Sequence, residues 1–117
     1  MADIAIHRIV RHYLRRLTNS GIPVEVGVIF GSHARGTATA WSDIDLLVVS
    51  PRFDATRTRE DLNVLWRVAA REDSRIEPIP CGSIEWETST ESAVIEVARR
   101  EGEEIVPQGN ELAEADT

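Results

Sequence analysis

Two short apolar runs limit what this chain can fold into. "PVEVGVIF" at 23–30 reads as a strand, with Val24, Val26, Val28 and Phe30 on one face. "IDLLVVS" at 44–50 is apolar on both faces after Asp45, the pattern of a central strand. Gly31 ends the first run and Pro51 closes the second. Between them lies a small, polar loop with room for one helical turn around Ala34. That loop opens on Gly31 and Ser32 and closes on Ser42, Asp43, Ile44 and Asp45.

The rest of the pattern is helical at both ends. Residues 4–19 carry Ile6, Ile9, Val10, Tyr13, Leu14 and Leu17 on one stripe, followed by Gly21 and Pro23 as terminators. "TRED" at 58–61 fits a capping box and opens a helix with Leu62, Leu65, Trp66 and Ala69 at helical spacing. "RIEPIPC" is a third, proline-weakened strand. "TSTE" at 88–91 is a second capping-box pattern, opening a helix through Val94, Val97 and Ala98 that stops before Gly102. "EIVP" is a last short strand. One domain over 1–107 is expected, followed by an acidic, disordered tail over 108–117. There is no internal repeat and no linker.

Composition narrows the chemistry. The net charge is −7, which argues against a generic nucleic-acid binder. All thirteen cationic side chains are arginine, so no mechanism that needs a lysine is open, the phosphate-loop lysine included. Cys81 is the only cysteine and allows no internal disulfide. No apolar run reaches the ~20 residues of a membrane span. Asp3 near the start breaks any secretory pattern, and a reducing cytoplasm is the expected compartment.

Asp43 and Asp45 carry the chemistry. Alternate residues of a strand share a face, so their carboxylates project together, about 6–7 Å apart along the backbone. Beside an apolar strand such a pair repels itself and loses hydration. A divalent cation removes both problems, and hard oxygens select magnesium or manganese over zinc. Two such ions can clamp a phosphoryl group in transfer. Gly31 permits a sharp turn and close approach of backbone N–H groups, and the Ser32 hydroxyl suits phosphate oxygens. If the two strands are neighbours, the turn and the carboxylates face one site. Taken singly, Gly-Ser is a common turn and Asp-x-Asp a common loop edge. The spacing of both between two strand-like runs is what singles them out.

"GSHARGTATAWSDIDLLVV" resembles the signature of the DNA polymerase β-like nucleotidyltransferase superfamily, and most closely its minimal nucleotidyltransferase group. A looser likeness, including "RIEPIP" and "ARREGEEIV", extends over 5–106. The resemblance implies an α+β fold, a small mixed sheet with helices packed on it. It implies transfer of a nucleoside monophosphate, AMP from ATP, with release of pyrophosphate. By resemblance, Gly31 and Ser32 hold the triphosphate, Ser42 braces the turn into the metal strand, and Asp43 and Asp45 bind two Mg²⁺ or Mn²⁺ ions. Arg35 either neutralises phosphate charge or pairs with an acidic neighbour. The family also needs a third carboxylate, which binds the catalytic metal and helps deprotonate the attacking hydroxyl. Glu77 in "RIEPIP" is the choice, with Glu85 and Glu87 as alternatives.

Larger members of the superfamily carry a second domain that serves the acceptor, so here the acceptor is expected in trans. The minimal group is commonly paired with a small helical HEPN protein. The resemblance therefore implies an antitoxin that adenylylates a tyrosine of a HEPN toxin. Transfer to a small molecule such as an aminoglycoside, and a non-catalytic module that neutralises a partner by contact, are the other readings. Among the remaining conspicuous residues, His33 is expected to be a solvated loop residue, and His7 and His12 surface residues. Trp41 is expected to pack under the loop, with stacking on a base as the other reading. Trp66 and Cys81 are expected in the core.

Overall fold

The computed structural model describes residues 1–108, so all of the expected acidic tail except Gln108 lies outside the described residues. Its first element, α1 (Ile4–Asn19), starts where Asp3 accepts a hydrogen bond from the Ala5 N–H at 2.6 Å. Then follow β1 (Val26–Phe30), α2 (Ser32–Arg35), β2 (Ile44–Val49), α3 (Arg52–Ala55) and α4 (Arg59–Glu72). The last elements are β3 (Ile76–Cys81), α5 (Ser83–Thr88), α6 (Ala93–Glu101) and β4 (Glu103–Ile105). The strands form one mixed sheet in the order β3-β2-β1-β4. β1 runs antiparallel to both β2 and β4, while β2 and β3 are parallel. A parallel pair needs a crossover, and α3 and α4 supply it.

Both faces of the sheet are covered. On one, Ile29, Ile44, Leu46, Val48 and Ile76 pack with α1 and α4. On the other, Val26, Val28, Leu47, Val49 and Cys81 meet Ile95 and Ala98 of α6. That second layer explains why β2 is apolar on both sides. It also places Cys81 in the core, as expected. Tyr13 ties α1 to α4 by donating its buried hydroxyl to the Leu65 carbonyl at 2.9 Å. Burial pushes the Tyr13 phenol well above its ordinary range. His7 and His12 serve the exterior of α1, where they meet Glu103 and Glu72, each at 2.9 Å.

The prolines of β3 are tolerated because β3 is an edge strand. Its inner side bonds to β2 through residues 75 and 81: the Ile44 N–H donates to the Arg75 carbonyl and the Ser50 N–H to the Cys81 carbonyl. Pro78 and Pro80 therefore turn their nitrogens outward.

Three expectations need correction. In α4 the capping box at Thr58 and Asp61 forms, but Asp61 also turns inward, where it receives the Arg52 Nε–H at 2.8 Å. That inward carboxylate sets the rotation of the helix. Val64, Leu65, Val68 and Ala69 line its buried face, and Trp66 is 51% exposed rather than in the core. The "TSTE" box does not form, because α5 continues to Thr88, whose hydroxyl donates to the Ile84 carbonyl. The cap of α6 is Ser92 instead, accepting from the Ile95 N–H at 3.2 Å. Val24 precedes β1 and packs with the α1–α4 layer, not on the face of Val26 and Val28.

Leu14 is fully buried, and its methyl groups fill the space above Gly27 on β1. Leu14→Ala should lower the unfolding free energy by about 2–5 kcal/mol in a urea titration, because α1 and the sheet would face a void that cannot collapse.

Candidate active site

The register of β1 and β2 assembles the site. Phe30 pairs with Asp45, so the turn that leaves β1 lies beside the start of β2. Gly31 forms that turn at φ 77° and ψ −151°, a backbone region open essentially to glycine alone. Space makes the same demand, since a Cβ at Gly31 would fall 2.1 Å from Asp45 Oδ2. Ser32 opens α2, which ends at Gly36 in the left-handed conformation. The loop beyond is tied down locally. The Thr37 N–H donates to the Ser32 carbonyl at 3.0 Å, and the Thr39 N–H donates to Ser42 Oγ at 2.9 Å. Ser42 thus braces the approach to Asp43, and its hydroxyl faces the loop.

β3 brings in Glu77. In the parallel register it lies directly opposite Asp45, and its carboxyl is within hydrogen-bonding reach of Asp43. Desolvation, the Asp43 charge and that hydrogen bond, and the Asp45 charge all push the Glu77 carboxyl up. Asp45 is pushed up too, by desolvation first and then by Asp43 and Glu101, against the pull of His33 and Arg35. Such a crowd of carboxylates, with Asp45 and Glu77 half-buried and Asp43 exposed, is unfavourable without a cation and is typical of functional sites. The alternatives to Glu77 have other roles or positions. Glu85 accepts from the Gly82 N–H at 3.0 Å at the start of α5 and pairs with Arg57, while Glu87 is exposed near the end of α5.

His33 is buried, not solvated, with Nε2 at 3.3 Å from the Ser42 carbonyl. It bridges the two ends of the loop. Trp41 does not pack under that loop. Its side chain is 91% exposed, two residues from Asp43, because the backbone around it is closed by Thr39 and Ser42. Arg35 takes the acidic-neighbour option and donates from Nη1 to Glu101 at 3.0 Å. Glu101 also accepts from the Gly31 N–H at 3.1 Å. The sequence reading missed this residue. The available signal was its position at the last turn of a helix, just before Gly102 in "ARREGEEIV".

Among the described residues, no group of three or more His, Cys, Asp or Glu side chains is already closed around an ion-sized centre. The donor chemistry nonetheless fits a hard divalent cation, with Asp45 and Glu77 on adjacent strands and Asp43 just ahead of β2. Asp43 is exposed, while Asp45 and Glu77 are half-buried. The nearby cavity of about 350 Å³, lined by Ile6, His33, Thr39 and Arg75 among others, contains none of them.

Residues 8–100 match the family model of the nucleotidyltransferase domain. The chain belongs to that family. It is a nucleotidyltransferase domain with the mixed sheet and flanking helices expected of the fold. A protein from Sulfolobus solfataricus described as a candidate nucleotidyltransferase is 24% identical with a TM-score of 0.57, over 72% of this chain and 73% of its own. A toxin–antitoxin structure with AMP-PNP is 21% identical with a TM-score of 0.56, over 91% of this chain and 82% of its own. An MNT antitoxin in complex with a tri-AMPylated HEPN toxin of Shewanella oneidensis is 16% identical with a TM-score of 0.51, over 93% of this chain and 77% of its own. At these identities the likeness is one of fold. No curated protein matches the chain significantly. No described helix of the nucleotidyltransferase domain is long and apolar enough to cross a membrane.

Gly31→Ala should cost about 1–3 kcal/mol through the backbone alone. The added methyl should also displace Asp45. Denaturant titration alongside a nucleotidyl-transfer assay should therefore report a loss of activity at temperatures where the variant is still folded.

Proposed function

We propose that this domain transfers AMP from ATP to a hydroxyl group on a helical, HEPN-type partner protein, in the manner of an antitoxin that modifies its toxin. The observation that carries the reading is the meeting of Asp43, Asp45 and Glu77 beside the Gly31–Ser32 turn. The neighbours named above, one with AMP-PNP and one with an AMPylated HEPN toxin, support the choice of nucleotide and partner. A further neighbour, the MntA–HpeT toxin–antitoxin, was crystallised with two aspartates one residue apart both changed to glutamate, the spacing of Asp43 and Asp45. The exposure of Asp43 suits an acceptor that arrives on another molecule.

In this reading Asp43, Asp45 and Glu77 hold two Mg²⁺ or Mn²⁺ ions. Bound there, the ions offset the charge of the triphosphate and of the transition state. The Gly31 turn and the Ser32 hydroxyl grip the β- and γ-phosphates, and Arg35 faces their charge. Asp43 and Asp45 fix the α-phosphate side of the site. Glu77 takes the proton of the attacking hydroxyl. The hydroxyl oxygen bonds to the α-phosphorus. The bond from that phosphorus to the bridging oxygen breaks, and pyrophosphate leaves with the electron pair.

Incubation with ATP labelled on the α-phosphate, with and without a co-purifying helical protein, tests the reading. Label should pass to the partner; label on a small molecule only, or on nothing, would sink it. Asp45→Asn should abolish transfer. Glu77→Gln should lower the rate by about 100-fold or more while triphosphate still binds, whereas Glu87→Gln should stay near the parent.

Stability supplies a separate check. The raised carboxyls of Asp45 and Glu77 favour the folded state while protonated, and that contribution is lost as pH rises through their folded-state titration. At neutral pH the ion-free protein therefore carries the repulsion. Glu77→Gln should melt at or above the parent temperature when no metal is added. Mg²⁺ with ATP should raise the melting temperature of the parent, and of Asp45→Asn far less.

A further inference from the structure

Glu101 lies outside the reaction as set out above, yet it touches two of its parts. From the end of α6, Oε1 accepts from the Gly31 N–H at 3.1 Å and from Arg35 Nη1 at 3.0 Å. One oxygen thus ties together the end of β1, the end of α2 and the end of α6. The Glu101 side chain is 19% exposed and that of Arg35 52%. A further carboxylate beside Asp45 is a liability in a site meant for a polyanion, since its charge adds to those opposing ionised Asp45.

Two roles are physically open to such a contact. Glu101 could occupy the anion site as an internal stand-in for phosphate, leaving when nucleotide arrives. Alternatively it could hold the turn and the arginine in place for nucleotide. The anchoring of Glu101 decides between them. Three residues before it, Ala98 is in the core. Just after it, the Gly102 N–H donates to the Ala98 carbonyl at 2.9 Å, and Glu103 pairs with Ile29 of β1. The backbone of Glu101 is therefore pinned on both sides, so its carboxylate could leave only by a swing of the side chain that gives up the bonds to Gly31 and Arg35 together. Its charge is also matched by Arg35 within the same contact. A guanidinium has five N–H donors in one plane, so the bond from Nη1 leaves others free to face a phosphate.

We propose that Glu101 is a positioning residue for the triphosphate. It holds Gly31 in its glycine-only conformation and aims Arg35, acting through both rather than touching the reacting atoms. The inference rests on the reading above, in which the Gly31–Ser32 turn receives the triphosphate.

Calorimetric titration of Mg-ATP and of inorganic tripolyphosphate into the parent, Glu101→Ala, Glu101→Gln, Arg35→Ala and the Arg35→Ala/Glu101→Ala double variant tests it, with a melting curve for each. Loss of a charge-assisted contact of this kind should weaken both ligands by about tenfold in Glu101→Ala and similarly in Arg35→Ala. The double variant should be no worse than the poorer single one, as for residues acting as a unit. Glu101→Gln keeps an oxygen acceptor at the same reach and should stay within about threefold of the parent. Tighter binding in Glu101→Ala would overturn the proposal in favour of the phosphate stand-in. Unchanged binding with a lower melting temperature would reduce Glu101 to a brace of the fold. A Gln variant as weak as the Ala variant would also overturn it, because the contact would then not be what matters. If Glu101→Ala does not fold, Arg35→Ala still decides, and normal binding there refutes the proposal. A parent that binds neither ligand refutes the nucleotidyl-transfer reading itself, a result distinct from all of these.

Discussion

The pairing of Phe30 with Asp45 is the constraint on which the rest of the molecule depends. Side chains alternate along a strand, so a slip of one residue between β1 and β2 would turn Asp45 away from the Gly31 turn and toward the α1–α4 layer. The slip is prevented from both sides of the sheet. Ile29, Leu46 and Val48 belong to one core layer and Val28, Leu47 and Val49 to the other. Every residue of β2 beyond Asp45 is buried, so any shift exchanges two complete apolar sets at once. Hydrophobic packing in the lower half of the sheet thereby fixes polar chemistry at its upper rim.

This division explains the electrostatics of the rim. The same strands that fill the core must end in carboxylates that lose hydration where they emerge. The protein offsets part of that cost with Arg35, and His33 acts on Asp45 in the same direction. Both come from the four residues of α2. A short turn between two glycines therefore carries the Ser32 hydroxyl and both of the groups that counter the rise of the Asp45 carboxyl.

Much of this was legible in the sequence because it is local. The bounds of α1 follow from one apolar stripe and the Gly21 and Pro23 terminators, and β2 from an unbroken apolar run. Glu77 was legible by another route: the family resemblance called for a third carboxylate, and "RIEPIP" was the remaining strand-like run. Its place opposite Asp45 follows from the parallel register. What escaped depends on distant partners. The rotation of α4 follows from Arg52 reaching Asp61, and the family of positions 62, 65, 66 and 69 is equally periodic without it. Ser92 displaced the expected cap because α5 used Thr88 first. Glu101 reaches Gly31 across 70 positions of sequence, and no spacing rule connects them. Trp41 is exposed because hydrogen bonds of its neighbours shape the loop, which its own hydrophobicity could not foretell.

The two prolines of β3 have an effect beyond their tolerance at an edge. Along the outer side of that strand, residues 76, 78 and 80 face away from β2. The Ile76 N–H is already committed to the Asp73 carbonyl at 3.1 Å, and Pro78 and Pro80 have no N–H to give. Over these three positions the rim of the sheet is silent as a donor. A foreign strand laid against it would find carbonyls but no matching amides, so neither a second copy nor an extended peptide can prolong the sheet there by ordinary ladder bonding. Whatever docks beside Glu77 must be recognised through side chains, and this edge of the sheet is kept out of strand-swapped or fibrous assemblies by two missing hydrogens.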